Sequence, residues 1–120
     1  ASALLDELKV QASDLKTKIQ ALVAERKGIK AKRQEIAKER KALKGQIKDI
    51  RNGDLERQEK RSLILAIRDD IKGLNAKLKE HRGELKALGA SLKALRVERK
   101  GLAKEMRALR KAIRLAKKNK

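Results

Sequence analysis

Proton and metal chemistry have little to work with in this chain. Its one histidine, His81, has no second imidazole to share a metal, and without cysteine there is no thiolate for nucleophilic or metal-binding work. Asp69 and Asp70 are neighbouring carboxylates, but successive residues on a helix diverge by about 100°, so the two do not converge on one ion. Gly28, Gly45, Gly73, Gly83, Gly89 and Gly101 are isolated from one another, which rules out a glycine-rich phosphate loop. No catalytic residue, cofactor site or metal site is expected. The chain reads as a non-enzyme.

What its side chains do offer is positive charge. There are 35 Lys and Arg against 16 Asp and Glu, a net charge of +19. The excess is uneven: residues 1–25 carry a net −1, residues 26–51 a net +8, residues 52–72 balance at five of each sign, and residues 73–120 carry +12. Self-repulsion on that scale opposes a compact state, and a polyanionic partner relieves it. The candidate phosphate contacts are Lys27, Lys30, Lys41 and Lys44 in the first half. In the basic C-terminal stretch 93–120 they are Lys93, Arg96, Lys100, Lys104, Arg107, Arg110, Lys111, Arg114, Lys117 and Lys118. Contacts of this kind release counterions and give affinity without sequence choice.

The missing residue types narrow the mode. Without Phe, Tyr or Trp, bases cannot be stacked on aromatic rings. Zinc-finger spacing is absent, and the cations overlie the hydrophobic repeat rather than preceding it as a zipper's basic region does. Recognition is therefore expected to be of backbone and shape, in DNA or structured RNA or a ribonucleoprotein. An anionic membrane surface is a weaker alternative, because interfacial helices of that kind usually carry Trp or Phe on a broad apolar face.

The elements that must position these cations follow from a seven-residue repeat. In the first half, position a is Leu5, Ala12, Ile19, Arg26, Arg33, Arg40 and Ile47, and position d is Leu8, Leu15, Leu22, Ile29, Ile36, Leu43 and Ile50. In the second half, a is Ile64, Ile71, Leu78, Leu85, Leu92, Arg99, Met106 and Ile113, with Ile67, Leu74, His81, Leu88, Leu95, Leu102, Leu109 and Ala116 at d. Three/four spacing without a slip is the pattern of a left-handed coiled coil. Arg26, Arg33, Arg40, His81 and Arg99 form a polar layer in that seam. Such a layer fixes register at some cost in stability, or else opens onto a phosphate backbone.

Between Ile50 and Ile64 the repeat slips out of phase, so the helix breaks there. Gly53 is expected in the left-handed conformation that ends a helix, with Asp54 as the next cap. The fold class predicted is all-α: one unit over 1–120, a long antiparallel coiled-coil hairpin, with pairing into a four-helix bundle as a way to thicken its core. Helix 1 is expected over about 3–51, the tip within about 52–62 and helix 2 over about 55–117. Two pairings compete. A tight turn at Asn52–Asp54 sets Leu43 against Ile64 and Leu22 against Leu85. A wider tip capped by Ser62 sets Ile50 against Ile64, Ile47 against Ile67 and Leu8 against Met106. The tight turn is preferred, because Leu55–Arg61 are good helix formers without a breaker.

In architecture alone such a hairpin resembles the arms of ribosome-bound factors and of seryl-tRNA synthetases, although no motif ties the chain to either. The expected function is non-enzymatic binding of nucleic acid through phosphates, with self-association or docking on a larger assembly. The rival is a structural assembly protein, such as a minor virion component touching a packaged genome. No apolar run approaches the ~18 residues of a membrane span, and no signal-peptide profile is evident. The location expected is the cytoplasm or the interior of a virion or other nucleoprotein particle.

Overall fold

A computed structural model describes residues 2–119. They form two helices: α1 spans Ser2–Asn52 and α2 spans Arg57–Lys118. No strand and no cis peptide bond occurs among the described residues. None of these helices is long and apolar enough to cross a membrane. The chain divides into two units, one joining Ala1–Arg26 to Ala87–Lys120 and the other comprising Lys27–Lys86. They are called here the terminal unit and the turn unit.

In the terminal unit the seam is buried along one edge of each helix. Leu8, Leu15, Ile19 and Leu92 are buried, and Leu92 is the best covered side chain at 1% exposure. Leu5, Leu22, Leu88, Leu95, Leu102, Met106, Leu109 and Ile113 are half-buried beside them. Residues 11–18 of α1 face 98–105 of α2 across a groove lined from both helices. In the turn unit, Ile29, Ile36 and Leu74 are buried, while Leu43, Ile47, Ile50, Ile64, Ile67 and Ile71 are half-buried. There Arg40 Nη1 donates to Asn75 Oδ1 at 3.0 Å, tying α1 to α2.

These contacts decide the register. The tight-turn pairing would set Arg40 against Ile67 and residues 11–18 against 89–96. The observed partners lie about seven residues further along α2, as in the wide-tip pairing. Yet the turn itself is short, with only Gly53–Glu56 outside the helices. Both features hold because α2 begins beyond the end of α1. The register sets Asn52 opposite Ser62, so the first turn and a half of α2, roughly 7 Å at 1.5 Å per residue, has no α1 beside it. Ile47, Ile50, Ile64 and Ile67 are half-buried, worth on the order of 1 kcal/mol per side chain, about half the value of full burial, and the tight pairing would have set Ile47 and Ile50 against Lys60 and Arg57. Apolar matching outweighs the convenience of the shortest turn.

The turn is built differently from the sequence expectation. Gly53 does not take a left-handed conformation. Its N–H donates instead to the Ile50 carbonyl at 3.2 Å, so α1 closes on a tight last turn. A Cβ at Gly53 would stand 3.2 Å from the Asp49 carbonyl oxygen, which is why a side chain is unwelcome there. The Glu56 carbonyl accepts from Lys60 N–H at 2.9 Å, which makes Glu56, rather than Asp54 or Ser62, the cap residue of α2. Glu59 adds a carboxylate in the first turn, where the helix dipole favours it. At the other side of the turn, Lys60 Nζ donates to the Arg51 carbonyl at 3.1 Å, filling an otherwise orphaned acceptor at the end of α1.

Candidate nucleic-acid interface

All fourteen candidate phosphate contacts are exposed: Lys27, Lys30, Lys41 and Lys44 on α1 of the turn unit, and the ten from Lys93 to Lys118 on α2 of the terminal unit. Eight of those ten follow at three- and four-residue steps: Lys93, Arg96, Lys100, Lys104, Arg107, Lys111, Arg114 and Lys118. At 100° per residue they occupy a wedge of about 80°, a single stripe along one flank of the seam. Glu98 and Glu105 fall on the opposite flank. The helical period therefore sorts the charges that the linear sequence mixes.

Two grooves in the terminal unit carry this separation into shape. One, of about 420 Å³, sets Arg26 of α1 beside Lys93, Arg96 and Lys100 of α2, with Gly89, Leu92 and Val97 completing it. No carboxylate lines it. The other, of about 440 Å³, brings Asp14 of α1 to Glu98 and Glu105 of α2, with Lys18 as its one cation. Nothing lies within 4 Å of where a Cβ would stand on Gly89, so the backbone is bare at the cationic groove.

The polar seam residues separate into two kinds. Arg26, Arg33, Arg40 and His81 are half-buried, whereas Arg99 is exposed. The register sets Arg99 opposite Leu15, itself buried, and a long arginine stem lets the charged head leave the seam for water. Ala116 is also exposed, because the register puts no described residue of α1 across from it. Arg33 and His81 share a level of the turn unit. His81 Nδ1 is buried there without a hydrogen-bond partner, a cost of about 1–3 kcal/mol for a group of this kind. Arg40 finds its partner in Asn75, at an e position of α2.

Two further sets of side chains escape a reading by charge count. Asn75 is one, visible only once the register is known. The other is the group of cations at the turn. Residues 52–72 are neutral in sum, yet Arg51, Arg57, Lys60, Arg61 and Arg68 line a common groove of about 470 Å³ with Ile64 and Leu65. Spacing held the signal: 57, 60, 61, 64 and 68 share one face of a helix. No cluster of three or more His, Cys, Asp or Glu suited to a metal ion occurs among the described residues. No protein-family model, no curated protein and no solved structure matches the chain.

Proposed function

We propose that the chain is a non-enzymatic nucleic-acid-binding protein. Its two helices supercoil as an antiparallel coiled coil, and its outer flank holds duplex DNA or structured RNA by phosphate contacts without reading sequence. The stripe from Lys93 to Lys118 carries this reading. Eight exposed cations spread over 25 residues reach roughly 37 Å, about one charge per 5 Å, against one phosphate per ~3.4 Å on each strand of a duplex. The groove of Arg26, Lys93, Arg96 and Lys100 lies at one end of that track, with guanidinium forks suited to bidentate contact with phosphate oxygens.

The test is the triple variant K93Q/R96Q/K100Q, compared with wild type on several unrelated duplexes at one salt concentration. Affinity is expected to fall at least tenfold, and by the same factor on every sequence. An unchanged affinity, or a loss confined to one sequence, contradicts the reading. Each of these side chains is exposed, so the fold is expected to survive the change.

A second reading, an assembly protein such as a minor virion component, draws on a different observation. The terminal unit carries an acidic groove on one side and a cationic stripe on the other, and these are complementary between copies. The terminal unit also exposes large apolar side chains, Leu4, Val10, Val97 and Leu115. Pairing of two hairpins into a four-helix bundle would cover part of that surface. The two readings are compatible if self-association leaves the stripe free, as it would in the cytoplasm or inside a nucleoprotein particle.

A further inference from the structure

The groove at the turn belongs to neither flank of the terminal unit. Arg51 closes α1, while Arg57, Lys60, Arg61 and Arg68 come from the first three turns of α2. In the heptad of α2, position 57 is an a and position 60 is a d. They would be seam positions if α1 continued beside them, but the register leaves this stretch beyond the end of α1. Arg57 is exposed there and Lys60 half-buried, and these cations stand where a continued seam would carry hydrophobic side chains. The acids of the same stretch are turned away. Glu56 and Glu59 line a separate concavity with Leu55, Gln58, Ser62 and Leu63. No carboxylate lines the cationic groove.

Closing α1 accounts for only part of this charge. One Lys60 amine already satisfies the Arg51 carbonyl. Arg57 and Arg61 are like charges at i and i+4, a destabilising arrangement on a helix, and Arg61 and Arg68 have no acidic neighbour at i±3 or i±4. Four arginines around a shallow groove thus repel one another with nothing among the lining residues to neutralise them. An anion would do so.

We infer that this groove is a second anion site, separate from the proposed duplex-binding stripe and sharing none of its residues, and that it takes a compact polyphosphate group of the kind carried by a nucleotide. The cations converge from two helices instead of following one line, which suits a dense cluster of charge better than an extended backbone. Planar guanidinium forks bind phosphate oxygens in pairs, and four of them match the oxygens of a di- or triphosphate. Ile64 and Leu65 offer apolar surface beside the charge but no ring for stacking, and no side-chain amide or carboxylate lines the groove to read a base edge. Binding is therefore carried by the phosphates and is indifferent to base identity. The group is either a free polyphosphate or the 5′-triphosphate end of a strand.

Calorimetric titration of the full chain near physiological salt tests this with three probes: inorganic triphosphate, a short single-stranded RNA bearing a 5′-triphosphate, and the same RNA with a 5′-hydroxyl. One saturable triphosphate site per chain is expected. R57Q/R61Q/R68Q should weaken it at least tenfold, and K93Q/R96Q/K100Q should leave it within about twofold. The same tip variant should hold duplex affinity within about twofold, so loss of the duplex reading and loss of this site are told apart. If the 5′-triphosphate strand displaces inorganic triphosphate and binds more tightly than the 5′-hydroxyl strand, the source is a strand end. If inorganic triphosphate alone enters, it is a free polyphosphate. Helix content is checked by circular dichroism, and should the triple variant lose it, R68Q alone is expected to weaken binding about threefold. Triphosphate uptake spread over several weak sites, or a tip variant that binds as wild type does, overturns the inference.

Discussion

His81 is the one imidazole of the chain, and it lies in the seam. It occupies a d position in the turn unit, half-buried, with Nδ1 enclosed and unpaired. A buried polar atom without a partner costs stability, and a leucine at the same position would remove it while keeping the volume of the layer. H81L is therefore expected to raise the unfolding free energy by about 1 kcal/mol, measured by urea denaturation at constant m value. A destabilised variant would show that the imidazole holds a contact essential to the layer. The arginines of the seam behave as their stems allow. Arg26 reaches the cationic groove, Arg40 reaches Asn75, and Arg99 lies exposed. That these residues occupy a positions was legible in the chain; what each head touches was not, because it depends on the level of the partner helix.

The two helices and the place where they part were readable from the repeat alone. Periods of three and four run unbroken from Leu5 to Ile50 and again from Ile64 to Ile113, and all of the leucines and isoleucines in those positions are buried or half-buried. The pairing was less legible. Good helix formers at 55–61 point to a short turn, and a short turn suggests the nearer register. Those are separate matters, because a helix can begin past the end of its neighbour. Isoleucine matching at 47, 50, 64 and 67 held the answer. Since the chain has no cysteine, engineered pairs test it cleanly. L43C/I71C is expected to form an intramolecular disulfide on oxidation, and L43C/I64C to remain reduced, as judged by mass and by mobility without reductant. The reverse result would restore the tight-turn pairing.

For the whole molecule, charge is the dominant fact, and the sequence states its amount but not its arrangement. A net +19 over 120 residues already points to a polyanion. Only the helical period, with the register added, separates a cationic stripe from an acidic groove in the terminal unit, and a cluster of arginines from two glutamates in the turn unit. The turn cluster was hidden because segment charge is a sum and its two signs cancel. The stripe, by contrast, follows from positions three and four apart and is legible in outline. The most direct measurement is the affinity of the wild-type chain for duplex nucleic acid across a salt series. With five to eight phosphates engaged by the stripe, log affinity is expected to fall against log salt with a slope of about −4.5 to −7. A slope near zero, with binding undiminished at high salt, would contradict phosphate recognition by the Lys93–Lys118 flank.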